Sequence, residues 1–209
     1  AALAVFEDGQ MSIWTHSQGI YILRTSMAEA LGLDEDAVRL IHTPGSGCYG
    51  HNGADDAAME AALVARANPG APILLKWSRD DEHAWEPYGT CMTMDLTASL
   101  NADGAVLNWN HESYGDTYSM RPRAGENQVG PRRLIATHLL SDPLEPLIIG
   151  PTMGRHVGIH RNQDPLYAFP ETRIIKHLVR GLPLRTSALR SLGAYGNVFA
   201  IESFMDELA

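Results

Sequence analysis

A glycine-rich segment between a predicted strand and a predicted helix constrains the fold of this chain more than any other feature. The last ten residues of Thr43–Gly53 hold four glycines, and the alanine-rich stretch Ala54–Ala67 follows directly. Glycine lets backbone amides approach a ligand closely, and a helix N-terminus favours an anion. The spacing matches neither a Walker A motif nor a dinucleotide-binding GxGxxG. The segment therefore predicts either a ligand-binding loop or an ordinary strand-to-helix connection.

Apolar periodicity in the rest of the chain predicts an α+β (mixed α/β) fold, with mixed sheets packed with helices. Gly32 occupies the position of a C-terminal helix cap, and Asp55 and Asp56 fall in a first helical turn, where negative charge favours the helix dipole. Helices are predicted at residues 20–31, at 54–67 and from Gly193 onward, the last with Val198, Ile201, Met205 and Leu208 on its apolar face. Strands are predicted at residues 11–15, 37–42, 72–77, 91–100, 105–114 and 171–179, with a hairpin turn at 101–104.

The middle of the chain, residues 119–165, lacks clear periodicity and is rich in Gly, Pro, Arg and His. We expect long loops there, with one short helix near Arg132–Leu140. If the chain contains an internal domain boundary, we expect it within residues 115–165. An acidic run at Asp80-Asp-Glu82-His83 is a candidate cation site, but a solvated loop is the favoured interpretation.

Charge and composition exclude some classes of function. The 209 residues carry a net charge of −9, and no basic stripe is present to neutralise phosphates, which argues against a nucleic-acid partner. No apolar run approaches the length of a membrane span. The chain starts without Met and stops in what reads as a helix, so we expect an internal fragment of a larger subunit. Cys48 and Cys91 form no CxxC pair, which leaves a disulfide between them open and places any iron–sulfur cluster outside the chain.

Four short motifs follow one another along the chain. They are Thr15-His-Ser-Gln18 before a helix, Gly47-Cys-Tyr-Gly50 in the glycine-rich segment, Lys76-Trp-Ser-Arg-Asp-Asp-Glu82 after a strand, and Leu189-Arg-Ser-Leu-Gly193 before the last helix. In this order and at this spacing they resemble the molybdopterin-binding region of the xanthine dehydrogenase/aldehyde oxidase family. The likeness spans essentially the whole chain. Within the family, the isoquinoline 1-oxidoreductase and nicotinate dehydrogenase types resemble this sequence most.

The resemblance implies part of a molybdenum hydroxylase subunit, which oxidises a small aldehyde or N-heterocycle with water as the oxygen source. It implies a molybdenum–molybdopterin cofactor, with the cytosine dinucleotide form as one alternative. Electrons would leave through an iron–sulfur subunit or domain to flavin or cytochrome c, in the bacterial cytoplasm or periplasm. Two alternatives stay open. One is a non-catalytic scaffold fragment of this fold, and the other is an unrelated hydrolase that uses His and Asp.

The same resemblance assigns the candidate site residues. By this likeness Gln18 would donate to the apical oxo ligand of the metal, and Arg190 would orient a substrate oxygen. Tyr49 stands where the family usually has Phe, and Cys48 replaces a usual glycine, which we interpret as a small buried residue and not as a metal ligand. The implied cofactor-binding set is Gln18, Gly47, Cys48, Tyr49, Gly50 and Arg190, with no direct metal ligand.

One departure from the family pattern bears on the substrate. Purine-oxidising relatives place a glutamate shortly after the glycine-rich segment, and that position falls on Gly53 here. This argues against a purine substrate of the usual kind. The family's general-base glutamate comes from a much later segment, and Glu202 in the last helix is not that residue.

Overall fold

The computed structural model describes residues 1–47, 49–116, 121–122, 130–145 and 158–209. Contacts divide the chain into two units: unit 1 is Ala1–Pro87 with Met120–Leu147, and unit 2 is Tyr88–Ser119 with Ile148–Ala209. The domain boundary expected within residues 115–165 stays a prediction. In the described ranges, no helix combines the length and the apolar character needed to cross a lipid bilayer.

Unit 1 is built on a four-stranded sheet in the order β3-β2-β1-β4. Its strands are β1 Ala2–Glu7, β2 Gln10–Thr15, β3 Val38–His42 and β4 Ile73–Leu75. The strands β2 and β3 run parallel, whereas β1 is antiparallel to both of its neighbours, β2 and β4. The sequence prediction missed β1. Its signal was the Asp8-Gly9 pair, whose φ angles of 50° and 77° suit a tight hairpin turn between β1 and β2.

Two helices cover the same face of this sheet. Helix α1 (Ile20–Leu31) links β2 to β3 and packs on β3, while α2 (Ala54–Ala67) packs on β1 and β2, and the two helices touch. Both helices agree with the prediction, and Gly32 ends α1 in the left-handed conformation at φ 60°. The small alanine side chains of α2 let its axis approach the sheet closely. The buried apolar core of unit 1 comprises Ala2, Ala4, Met11, Ile13, Leu23, Met27, Ala28, Leu31, Val38, Ala58, Met59, Ala61, Ala62, Ala65, Leu134 and Ala136.

The acidic run that was expected to be a loop is an exposed helix, α3 (Arg79–Trp85), so that prediction was wrong. The reason is a capping box. The Ser78 hydroxyl accepts from the Asp81 amide at 3.2 Å, and Asp81 Oδ2 accepts from the Ser78 amide at 2.8 Å. The helix expected near residue 132 is two short 3₁₀ helices, Pro131–Arg133 and Ile135–Leu139. Much of the remaining stretch to residue 157 lies outside the described residues.

Unit 2 contains a three-stranded sheet in the order β6-β7-β8 and a two-residue parallel pair, β5 with β9. Its elements are β5 Tyr88–Gly89, β6 Met92–Leu100, β7 Val106–Gly115, β8 Glu171–Leu178, β9 Thr186–Ser187 and α4 Ala194–Leu208. The predicted β6–β7 hairpin is confirmed, and Asn101 Oδ1 closes its turn by accepting from the Ala105 amide at 2.8 Å. The strand β8 runs parallel to β7.

Helix α4 begins after Gly193, as predicted, and three residues of its predicted apolar face are confirmed as buried or partly buried, namely Ile201, Met205 and Leu208. The prediction was wrong for Val198, which is 42% exposed, whereas its neighbour Asn197 is fully buried. On the same side Phe204 lies with its ring centroid 5.3 Å from that of Trp109, a fully buried residue of β7. Asn197 is buried because it has hydrogen-bond partners inside unit 2, which apolar periodicity alone does not reveal.

Candidate functional site

The two loops of unit 1 that carry predicted site residues lie at the same edge of the sheet. Residues 16–19 (loop A) follow β2, and residues 43–53 (loop B) follow β3. Because β2 and β3 are parallel neighbours, with Thr15 opposite His42, their carboxyl ends meet at one edge. In open α/β sheets, ligands bind beyond the carboxyl ends of parallel strands, and β2 and β3 form such a parallel pair.

The structure places the predicted residues of both loops at the surface of unit 1. Gln18 is exposed in loop A, directly before α1, and Tyr49 is 71% exposed in loop B. Gly47 is exposed, and Gly50 is partly buried at φ 127°, a conformation that favours glycine. Cys48 lies outside the described residues, and Cys91 is an exposed free thiol.

Two glycines of loop B lie close to neighbouring side chains. A Cβ atom on Gly45 would lie 2.7 Å from Cβ of His16 in loop A, and one on Gly47 would lie 2.9 Å from the Tyr49 ring. A cavity of about 160 Å³ opens beside these contacts and is lined in part by His16, Gly47 and Asn52. Burial lowers the pKa of His16, which favours a neutral imidazole beside this cavity. The two loops therefore approach each other through glycine backbone.

A buried carboxylate joins the two loops. Asp55, in the first turn of α2, accepts hydrogen bonds from the Ser17 hydroxyl of loop A and, at 3.1 Å, from Nε2 of His51 in loop B. Burial would raise the pKa of Asp55, but its hydrogen bonds with His51 and Ser17 outweigh that effect and hold the pKa below its usual range. The group is therefore ionised at neutral pH.

Arg190, the remaining predicted site residue, belongs to unit 2. It is exposed and lines a cavity of about 570 Å³. Ser191 and Leu192 next to it have left-handed backbones, with φ of 67° and 53°. The other lining residues come from β5 to the start of β6 and from β9 to the first turn of α4: Gly89, Thr90, Met92, Ser187, Ala188, Leu189, Ser191, Leu192, Gly193 and Tyr195.

A buried polar network fixes the start of α4 behind this segment. Asn197 is fully buried, and its Nδ2 donates to the carbonyl oxygens of Ile159 at 2.7 Å and Arg161 at 3.0 Å. Gly193 also lies close to this backbone segment: a Cβ on Gly193 would be 2.7 Å from the Gly158 carbonyl oxygen. The orientation of the segment that carries Arg190 thus depends on contacts 30 residues and more away in sequence.

Sequence reasoning missed Ser17, His51 and Asp55, which join loops A and B, and Asn197, which fixes the start of α4. Asp55 was recognised only as a helix-dipole residue. Its available signal was a pair of acidic residues directly before the apolar run that begins at Ala57. Within the described ranges, no three His, Cys, Asp or Glu side chains gather in a way that could hold a metal ion.

Comparisons with known proteins identify the family. The family model of the molybdopterin cofactor-binding domain matches residues 1–125. One subunit of the nicotinate dehydrogenase from Pseudomonas putida is 34% identical over 208 residues, which cover 100% of this chain and 16% of that protein.

Solved structures agree on the fold. An aldehyde oxidoreductase from Desulfovibrio gigas matches with a TM-score of 0.67 at 19% identity, over 99% of this chain and 20% of that one. An aldehyde oxidoreductase from Desulfovibrio desulfuricans matches with a TM-score of 0.62 at 16% identity, over 100% of this chain and 20% of that one. Because the family model covers more than half of the chain and includes both loops of unit 1, the chain belongs to the molybdopterin cofactor-binding domain family, with the α+β fold that its sequence predicts.

Proposed function

We propose that the protein containing this chain is a molybdenum hydroxylase that oxidises an aldehyde or an N-heterocycle, with water as the oxygen source. The observation that carries the proposal is the family match over residues 1–125, because this span holds both loop A and loop B. The names of the relatives, one part of a nicotinate dehydrogenase and two aldehyde oxidoreductases, support this range of substrates. Since the first of these works as one chain of a multi-chain enzyme, we also propose that the electrons pass to an iron–sulfur partner and on to flavin or cytochrome c.

The residues of unit 1 fit a molybdopterin cofactor. Loop A offers the exposed amide of Gln18, which can donate a hydrogen bond to an oxygen of the bound group. Loop B offers backbone without a side chain at Gly47, which lines the 160 Å³ cavity, and at Gly50, which is partly buried. When bound, the cofactor would supply the two-electron oxidation of the substrate carbon. The protein would supply placement, hydrogen-bond donors and exclusion of water.

Each site residue has a proposed role. Gln18 donates toward the bound group, and Gly47, Cys48, Tyr49 and Gly50 line its contact surface. The Tyr49 hydroxyl makes this surface more polar than the usual Phe would. Arg190 orients a substrate oxygen, since a guanidinium keeps its charge and offers planar donors.

The packing around Gly53 supports a substrate other than a purine. A Cβ on Gly53 would lie 2.4 Å from Cζ3 of Trp77, so the glutamate of purine-oxidising relatives has no room there. The Trp77 ring cannot swing away freely, because its Nε1 donates to Glu60 at 2.6 Å. We therefore expect turnover with aldehydes or with pyridine- and quinoline-like heterocycles, and none with hypoxanthine.

Elemental analysis of the intact protein tests the proposal. We expect about one molybdenum per chain in protein from the natural host. The control is the same protein from cells grown on tungstate in place of molybdate, which should contain no molybdenum. Acid hydrolysis would release cytidine monophosphate if the cofactor is the cytosine dinucleotide form. Absence of molybdenum in protein from the natural host would favour the scaffold alternative.

A further inference from the structure

The Asp55 carboxylate links the two loops at the positions next to their proposed cofactor contacts. Its Oδ1 accepts from Ser17, the residue before Gln18, and its Oδ2 accepts from His51, the residue after Gly50. Asp55 is 4% exposed, and its two partners are 2% and 3% exposed. One buried side chain thus contacts both loops from beneath while Gln18 faces solvent.

The chemistry of this contact requires a carboxylate. Two oxygens allow it to accept from a hydroxyl on one side and from a ring N–H on the other. Hydrogen bonds to an ionised group are stronger than neutral ones, and a buried charge that loses a partner is costly. The link therefore resists a change in the separation between loop A and loop B.

Other contacts orient the same loops. The Ser17 hydroxyl also accepts from the Gly19 amide at 3.3 Å, which folds loop A around it, and the Thr15 hydroxyl donates to the Ala54 carbonyl oxygen at 3.4 Å. On the other loop, Arg121 Nη2 donates to the Gly50 carbonyl oxygen at 3.0 Å. The Asp55 carboxylate differs from these contacts because it accepts hydrogen bonds from side chains of both loops, Ser17 in loop A and His51 in loop B.

We propose that Asp55 is a positioning residue of the active site, acting on Gln18 through Ser17 and on Gly50 through His51. This inference rests on the proposed function, because it assumes that both loops contact the cofactor. By holding the two loops at one spacing, Asp55 keeps the Gln18 amide aimed at the bound group. Partners of this kind behind directly acting residues typically contribute about 10- to 100-fold to activity.

The test compares Asp55→Ala with Asp56→Ala in the full-length, molybdenum-loaded enzyme. Asp56 is a matched control, because it is the next residue of α2 and similarly buried, but its Oδ1 accepts from the Ile135 amide at 2.9 Å, outside both loops. For Asp55→Ala we expect kcat per molybdenum to fall about 10- to 100-fold with KM within about threefold of the parent. Amide hydrogen exchange should accelerate in residues 16–19 and 49–53. For Asp56→Ala we expect faster exchange near Ile135 and kcat per molybdenum close to that of the parent.

A second pair of variants keeps the test decisive if Asp55→Ala does not fold. His51→Leu removes the donor to Asp55, whereas His51→Gln keeps an amide N–H at a similar reach. We expect His51→Leu to reproduce the loss of kcat and His51→Gln to restore most of it. Equal kcat for these two variants would overturn the proposal.

The outcomes distinguish failure of the proposed role of Asp55 from failure of the proposed function. Parent-like exchange in both loops of Asp55→Ala would show that Asp55 does not hold them, and the proposal would fail. Faster exchange with unchanged kcat per molybdenum would make Asp55 a purely structural residue, which also overturns it. Absence of molybdenum from the parent enzyme would instead refute the proposed function, while the exchange data would still report whether the link exists.

Discussion

The hydroxyl group of Ser113 on β7 donates a 2.7 Å hydrogen bond to Oδ1 of Asn197, in the first turn of α4. Through its Nδ2 the same amide donates to two backbone carbonyl groups of residues 159–161. One buried side chain therefore ties together a strand, a turn and a helix of unit 2. The segment that carries Arg190 leads directly into this helix, so its position depends on the same bonds.

Removing this amide should destabilise the protein. Asn197→Ala removes the donor to two backbone carbonyl groups and one of the two partners of the Ser113 hydroxyl, and we expect the free energy of unfolding to fall by about 2–4 kcal/mol. Asn110→Ala is the control, because the Asn110 amide makes an exposed 3.3 Å bond to Thr97. Its effect should stay within about 0.5 kcal/mol. Denaturant unfolding of the full-length protein measures both, and equal losses would contradict the role given to Asn197.

Two glycines at the start of α4 should respond oppositely to alanine. A Cβ on Gly193 would meet the backbone oxygen of Gly158 at 2.7 Å, whereas one on Gly196 would meet the flexible side chain of Met92 at 3.3 Å. Backbone cannot move aside cheaply, so we expect Gly193→Ala to cost about 1–3 kcal/mol. Gly196→Ala should be between neutral and about 1 kcal/mol more stable, because alanine favours helix. The melting temperatures of the two variants test this difference. A higher melting temperature for Gly193→Ala would refute the close contact between position 193 and the Gly158 backbone.

Stability should decline as the pH falls, in part because of His111. Burial lowers the pKa of His111, and its contact with the Gln163 carbonyl oxygen, 3.2 Å from Nδ1, offsets part of this effect. The unfolded chain, with a pKa of about 6.5, then binds more protons than the folded one. The contribution of His111 to the free energy of unfolding is therefore complete above about pH 6.5. It is lost as the pH falls through the pKa that His111 has in the folded protein.

Replacing His111 isolates its share of this decline. We expect the loss of unfolding free energy from about pH 7.5 to 5.5 to be smaller in His111→Gln than in the parent, since the variant cannot titrate there. His16, whose pKa is also lowered by burial, is present in both proteins, so its contribution cancels in the comparison. Identical pH dependence in the two proteins would remove His111 as a source.

The proposed site residues should matter for turnover more than for folding. Gln18 and Arg190 are both exposed, so Gln18→Ala and Arg190→Ala should leave the melting temperature nearly unchanged. If they contact the cofactor and the substrate, each should cut kcat/KM of the intact enzyme about 100-fold or more. The exposed residues Gln10 and Arg180 provide matched alanine controls. Parent-like kcat/KM for both site variants would remove the assignment.

Local signals in the sequence were sufficient for most of the helices and strands. The α1 helix ends at Gly32 because glycine takes the left-handed conformation without strain, and α2 covers the predicted residues 54–67. The β6–β7 hairpin follows from alternation around a turn. The two local features that were missed, the Asp8-Gly9 turn and the Ser78 capping box, also had readable signals.

The sequence by itself determined the α+β class, the order of the elements and, through four short motifs, the family. Apart from the β6–β7 hairpin, only the tertiary structure decided which strands are neighbours and which buried polar groups are partners. The pairing of Asp55 with Ser17, 38 residues away, and of Asn197 with Ser113, 84 residues away, leaves no periodic trace in the sequence. A buried polar group must find a partner wherever the fold brings one within reach, and that distance is set by packing and not by spacing along the chain.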